Sequence, residues 1–256
     1  MIITTAGKNA ARIQDKAKQV AFSLESPFID RGSYSIASII ERYNDDVLMI
    51  GVDKISFHPK DRSSPFFFHP NSSMFRVKQL LRGERDPFVE AAKLRKDMTV
   101  LDCTLGLGSD SIVASLVTGE NGRVTGIESS IAISFVVKSG LKVWESNLLE
   151  MNDAMKRIEV IHGDHYEFLK KTEDNHYDVV YFDPMFESTV QSPGIQGLKG
   201  SADYRVITNK IIEEALRVAS QRVVMKDSRN SSKFKELGFN IIQRNASFLY
   251  GVIEKF

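Results

Sequence analysis

From Lys96 onward, short strand-like apolar runs alternate with runs of helical period, and this alternation limits the fold more than any other feature of the chain. TVLDC at 99–103 is followed by a helical spacing from Ser109 to Val117, and RVTGIE at 123–128 by another from Ile131 to Leu149. RIEVIH at 157–162 leads into a helix from Tyr166 to Lys171, and DVVYFD at 178–183 closes the series. Strand–helix–strand units of this kind cross over right-handedly and stack into a parallel sheet with helices on both faces, which predicts an α/β fold. A helix from about Tyr204 to Ala219, the strand RVVMKD, a helix near Lys233 to Leu237 and two closing strands, FNIIQR and SFLYGVIEK, complete the pattern. Ligands of an open parallel sheet bind beyond the carboxyl ends of its strands, so the chemistry is expected after Cys103, Glu128, His162 and Asp183.

The first 70 residues read as a smaller α/β unit: MIITTA, a helix from Asn9 to Phe22, a second from Tyr34 to Tyr43, and the strand VLMIGVD. Serines, prolines and Asn71 punctuate the stretch around Phe66 to Phe68, which predicts a loop or junction there. The boundary is placed so that residues 1–72 form the N-terminal unit and 73–256 the larger domain. Between Met74 and Leu94 the apolar spacing predicts two short helices, broken at Gly83 or at Asp86-Pro87.

With 42% hydrophobic and 26% charged residues the chain has the composition of a globular protein. No stretch approaches the roughly 18 apolar residues of a membrane span, and MIITTAGKNAAR lacks a secretory pattern, so a cytoplasmic protein is expected. One cysteine, Cys103, gives no internal disulfide and reads as a small packed residue rather than a nucleophile. His162 and His165 have no further ligands at metal-site spacing, so no metal is expected. Residues 1–97 carry 16 Lys+Arg against 12 Asp+Glu, a net of +4, while the remainder carries 18 against 21, a net of −3. Arg76, Lys78, Arg82 and Arg85 cluster in the basic part, either as phosphate contacts or as a solvated helix face.

The first strand of the large sheet runs into Asp102-Cys103-Thr104-Leu105-Gly106-Leu107-Gly108-Ser109-Asp110. Gly106 and Gly108 at a strand-to-helix turn let the backbone bend tightly and approach a ligand closely. A dinucleotide site would place a third glycine, or an alanine, at 111, where this chain has Ser. Asp102 instead gives an acidic-x-x-x-G-x-G pattern, whose carboxylate suits the ammonium of S-adenosylmethionine. Glu128, twenty residues after Gly108, is placed for ribose hydroxyls, and Asp164 for the adenine amine or for capping the next helix through Asp164-x-x-Glu167.

The fourth strand ends in Asp183-Pro184-Met185-Phe186. An exocyclic base amine is a poor nucleophile, because its lone pair is delocalised into the ring. Hydrogen-bond acceptors at Asp183 and the Pro184 carbonyl would favour its reactive geometry and stabilise the charge that develops on methylation. Phe186 would stack on the unstacked base.

These motifs resemble those of the J-type 16S ribosomal RNA guanine-N2 methyltransferases and their uncharacterised relatives, over about residues 70–256. The matching positions are Asp102 to Asp110, Glu128-Ser129, His162 to His165 and Asp183 to Phe186. The resemblance implies a Rossmann-like class I methyltransferase sheet, S-adenosylmethionine contacts at Ser109, Asp110, Glu128, Ser129, Asp164, His165 and Asp183, and ribosomal RNA as partner. Ser109 stands where the rRNA enzymes carry Arg, and Glu187 where they usually have Pro. The N-terminal stretch is similar to that of the relatives without an assigned substrate, so these departures bear on the nucleotide rather than on the cofactor.

Residues 188–203, with Gly194, Gly197 and Gly200, read as a loop that closes over the substrate or as a plain surface loop, and Lys199 and Lys226 as candidate phosphate contacts. The expectation is thus an S-adenosylmethionine-dependent methyltransferase acting on an RNA base amine, with residues 1–72 as its RNA-recognition unit. Two other readings stand beside it: a nicotinamide-dependent oxidoreductase, and a non-catalytic RNA-binding module on the same fold.

Overall fold

The computed structural model describes residues 1–184 and 207–255. Strands β1 (Ile2–Thr5), β2 (Val47–Ile50), β3 (Ile55–His58) and β4 (Phe66–Phe67) form one sheet in that order. β1 and β2 are parallel and need a crossover, which helices α1 (Ala10–Ser23) and α2 (Ile36–Tyr43) supply. Alternation along the strands sends Ile3 and Leu48 into the main core and Ile2 and Val47 toward Ile39 and Ile40 of α2.

Two helices connect this sheet to the larger one: α3 (Asn71–Leu81) and α4 (Pro87–Ala92). Asp86 caps α4 by accepting from the Phe88 and Val89 amides at 3.0 and 3.1 Å, and Pro87 occupies the first helical position, where it gives up no hydrogen bond.

The second sheet contains β5 (Thr99–Asp102), β6 (Arg123–Glu128), β7 (Glu159–His162), β8 (Tyr177–Phe182), β9 (Ala219–Ser228), β10 (Asn240–Ile242) and β11 (Phe248–Glu254). Their order is β10-β11-β9-β8-β5-β6-β7; β11 is antiparallel to both neighbours and the β9-β8-β5-β6-β7 run is parallel. Strands buried on both faces need apolar residues at successive positions, and these strands have them. Val100, Val179, Tyr181 and Val224 face one cluster, while Leu101, Val180, Phe182 and Val223 face the other. The first face is covered by α4, α5 (Ser109–Thr118), α6 (Ile131–Val143) and α7 (Leu149–Arg157), the second by α8 (His165–Lys171), α9 (Asn209–Val218) and α10 (Lys233–Glu236).

The small sheet shares the first cluster through Phe57, Phe66 and Phe68. Phe68 lies on Gly140 of α6 so closely that a Cβ there would collide with its ring, and it meets Trp144 edge-on at 6.0 Å. The aromatic run expected as a loop therefore contains the edge strand β4 and two buried rings. The serines after it begin α3 rather than extend a loop. β3 escaped the sequence reading altogether, and the single helix expected from Ile131 to Leu149 ends at Val143, with α7 following separately.

Candidate active site

The turn after β5 is built around two left-handed glycines, Gly106 at φ 49° and Gly108 at φ 72°, a conformation in which a Cβ is strained. Gly108 is also the N-cap of α5. Asp102 closes β5 almost fully buried; its carboxylate accepts from the Thr104 amide at 3.0 Å and from Ser111 Oγ at 2.6 Å. Ser111, the residue that breaks the dinucleotide fingerprint, is thus what secures the carboxylate that replaces it. Burial pushes Asp102 up to about 7, against those two hydrogen bonds and with the help of the neighbouring Asp110 and Asp183 charges.

Glu128 at the end of β6 ties the same turn to the next helix. Its Oε2 accepts from the Gly106 amide at 3.2 Å, and its Oε1 from the Ser130 amide at 2.8 Å. Asp164 caps α8 by accepting from the Glu167 amide at 2.8 Å, as the sequence spacing suggested. His165 follows it, buried edge-on against Phe182 at 6.0 Å. Cys103 is buried and its thiol is pushed well up by burial and by Asp102, which leaves it un-ionised and unreactive.

Beyond β8, the Asp183 amide donates to Thr104 Oγ1 at 2.6 Å, so the ends of the first and fourth strands are locked together. The Asp183 carboxylate lies 2.6 Å from Lys226 Nζ on β9, and the same ammonium is 3.5 Å from Asp110. Asp110 also receives Arg76 at 2.5 Å and the Tyr181 hydroxyl at 3.0 Å, and Arg76 reaches back to Asp86 at 2.7 and 2.9 Å. Five charges of alternating sign therefore run from the α4 cap to the end of β8. Burial would raise the Asp110 carboxyl, but Lys226, Arg76 and the hydrogen bonds hold it well below the usual range. For Asp183, burial wins over Lys226, and with the Asp110 charge beside it the carboxyl rises to about 6.

Two expectations are corrected here. Arg76, expected in a phosphate-binding patch, spends its guanidinium on Asp86 and Asp110, while Lys78, Arg82 and Arg85 remain exposed. Lys226, expected as a phosphate contact, is half-buried between two carboxylates.

These elements enclose a cavity of about 900 Å³, near the upper end of the roughly 300–1,000 Å³ typical of small-molecule sites. Of the expected residues, Asp102, Thr104, Gly106, Ser109, Asp110, Glu128, Ser129, His165, Asp183 and Pro184 line it; Gly108 and Asp164 do not. Phe186, Lys199 and the 188–203 loop lie outside the described residues. The sequence reading missed part of the wall: Phe67 and His69 from the N-terminal unit, and Arg244, Phe248 and Tyr250 from the last hairpin. The chemistry of the wall suits a cationic ligand. Asp102, Glu128 and Asp183 supply acidic groups that would complement an ammonium or a sulfonium, whereas the pyrophosphate of a dinucleotide would meet Asp102 and Asp110 at the start of α5.

The sheet order, the glycine turn after β5 and the acidic end of β6 are those of the Rossmann-like class I methyltransferase fold. The chain belongs to the family described as "putative SAM-dependent methyltransferase", which it matches over residues 45–248, and S-adenosylmethionine is the cofactor. It is 42% identical over 255 residues to "Uncharacterized protein YpiP" of Bacillus subtilis, covering 99% of each chain. It is 28% identical over 156 residues to the ribosomal RNA small subunit methyltransferase J of Hydrogenovibrio crunogenus, 58% of this chain and 55% of that one. Among solved structures, the SAM-dependent methyltransferase NGO1261 from Neisseria gonorrhoeae shares the fold with a TM-score of 0.64 at 17% identity, covering 99% of this chain and 96% of that one.

Proposed function

We propose that the chain methylates an exocyclic amine of an RNA base, with guanine N2 of ribosomal RNA as the first substrate to test. The observation that carries this reading is the Asp183 carboxylate on the cavity wall, backed by Lys226 and followed by the Pro184 carbonyl. S-adenosylmethionine supplies a methyl group on a sulfonium sulfur. The turn from Asp102 to Asp110 would hold its methionine part, with Asp102 serving the ammonium and Glu128 the ribose; Ser129 and His165 would complete the adenosine side, with Asp164 fixing the start of α8 by its cap. Asp183 and the Pro184 carbonyl accept hydrogen bonds from the amine and turn its lone pair toward the methyl. During methyl transfer the carboxylate would stabilise the positive charge growing on the amine nitrogen and then receive its proton. Phe186 supplies a stacking face for the base, and residues 1–72 contribute to holding the RNA.

The similarity to the J-type rRNA methyltransferase of Hydrogenovibrio crunogenus supports RNA as the substrate class. The test is methyl transfer from labelled S-adenosylmethionine to total RNA from a strain lacking the gene, followed by nucleoside mapping. Label in N2-methylguanosine of the small-subunit rRNA is expected. Label confined to a ring carbon or a ribose oxygen would refute amine chemistry.

A further inference from the structure

The two cavity cations already described, Arg76 and Lys226, are neutralised by carboxylates. Arg244 differs. Among the described residues it forms no ion pair, and its guanidinium is layered on the Phe248 ring at 4.6 Å with Tyr250 at 5.8 Å. Its Nη1 is buried and without a hydrogen-bond partner. Stacking restrains the plane of the fork, so little side-chain freedom is left to lose when its N–H groups take a partner.

Across the chain, from the N-terminal unit, His69 repeats the arrangement. Its ring leans on Phe67 at 5.4 Å and its Nδ1 is buried without a partner. Burial and the nearby Lys54 lower its pKa, so at neutral pH the ring is an uncharged donor and acceptor. Both residues line the cavity, and the unpaired atom on each leaves hydrogen-bonding capacity there that a ligand's polar groups can take up. Phe248 also touches Lys226, whose ammonium holds Asp183, so a short chain of contacts joins Arg244 to the proposed acceptor.

We propose that Arg244, seated on Phe248, and His69, seated on Phe67, form a subsite that grips the phosphate and sugar of the nucleotide whose base lies at Asp183. A guanidinium fork matches two phosphate oxygens, and a neutral imidazole matches a ribose hydroxyl. The acceptor is then a nucleotide within a strand rather than a free base or a small amine, and the N-terminal unit contributes to substrate binding inside the cavity itself. This inference rests on the base-amine reading above.

The probe is a short, labelled, single-stranded oligoribonucleotide of mixed sequence, titrated by fluorescence anisotropy into the full chain saturated with S-adenosylhomocysteine, at several salt concentrations. Arg244→Ala is expected to weaken binding about ten- to hundredfold and to reduce the slope of log affinity against log salt by about one. Arg244→Lys should keep most of the slope, and His69→Ala should weaken binding with the slope unchanged. Calorimetric affinity for S-adenosylhomocysteine, unchanged in all three, shows that they fold. Equal affinity and slope in Arg244→Ala, or binding of guanosine as tight as that of the oligoribonucleotide, would overturn the subsite. If the mutational losses appear as expected but no RNA amine is methylated, the subsite stands and the base-amine reading falls.

Discussion

Replacing Lys226 with methionine removes the positive charge 2.6 Å from Asp183 and 3.5 Å from Asp110 while keeping most of the side-chain length. Breaking a buried ion pair by deleting one partner costs about 3–5 kcal/mol when the stranded charge stays ionised. Asp183 has an escape, because it can take up a proton. Its carboxyl already titrates near 6 rather than at the ordinary 3.8, burial outweighing the pull of Lys226. The folded protein thus binds this proton more tightly than the unfolded chain does, and the group's contribution to stability is lost as pH rises from about 4 to about 6. Without the contacting cation the carboxyl should climb further, by roughly one to three pH units, each worth about 1.4 kcal/mol. The variant should therefore lose up to about 3–5 kcal/mol at pH 8 and about 1–3 kcal/mol less than that at pH 5, where Asp183 is largely protonated in both proteins. Part of the cost should persist at pH 5, because Asp110 remains ionised against Arg76 and also loses Lys226. Denaturant unfolding at a series of pH values, followed by the fluorescence of Trp144, measures this. A destabilisation of equal size at every pH would mean that Lys226 acts through packing and would refute the electrostatic reasoning.

Two further outcomes follow from the same geometry. Glu128→Ala should abolish calorimetrically detectable S-adenosylhomocysteine binding, since it removes the carboxylate that accepts from Gly106 and Ser130 as well as the proposed ribose contact; retained affinity would relocate the adenosine. Gly140→Ala should cost about 1–3 kcal/mol by forcing Phe68 away from α6, read as a lower denaturation midpoint, and a neutral result would mean that the small sheet is not seated there.

The strands of the large sheet were legible because a parallel strand buried on both faces is a continuous apolar run, and RVTGIE matches β6 residue for residue. β3 was not, because Ile55–His58 is four residues long and half-buried at its ends. The break between α6 and α7 carries no glycine or proline. Asn152 makes it, folding back so that its side chain accepts from the Ser146 amide at 2.8 Å and donates to the Ser146 carbonyl at 3.0 Å. At the site, Asp102, Glu128 and Asp183 could be placed from strand ends alone. The fates of Arg76 and Lys226 could not, since Asp110 lies 34 residues beyond Arg76 and Asp183 lies 43 residues before Lys226. A run of basic residues shows charge but not the partner that folding will bring to it. The aromatic wall of Phe67, Phe248 and Tyr250 was hidden for the same reason, its members coming from the two ends of the chain.

Single-turnover methylation of RNA by Asp183→Asn, at saturating S-adenosylmethionine, decides whether the Asp183 carboxylate accepts the substrate amine as proposed. Asparagine keeps the size and one acceptor oxygen but removes the negative charge that stabilises the developing cation. Loss of one such preorganised interaction typically costs on the order of 10²–10³ in rate. A fall of that size, with the protein folded and cofactor affinity weakened far less, is the predicted result; methylation at the parental rate would make Asp183-Pro184 a structural turn and place the acceptor chemistry elsewhere.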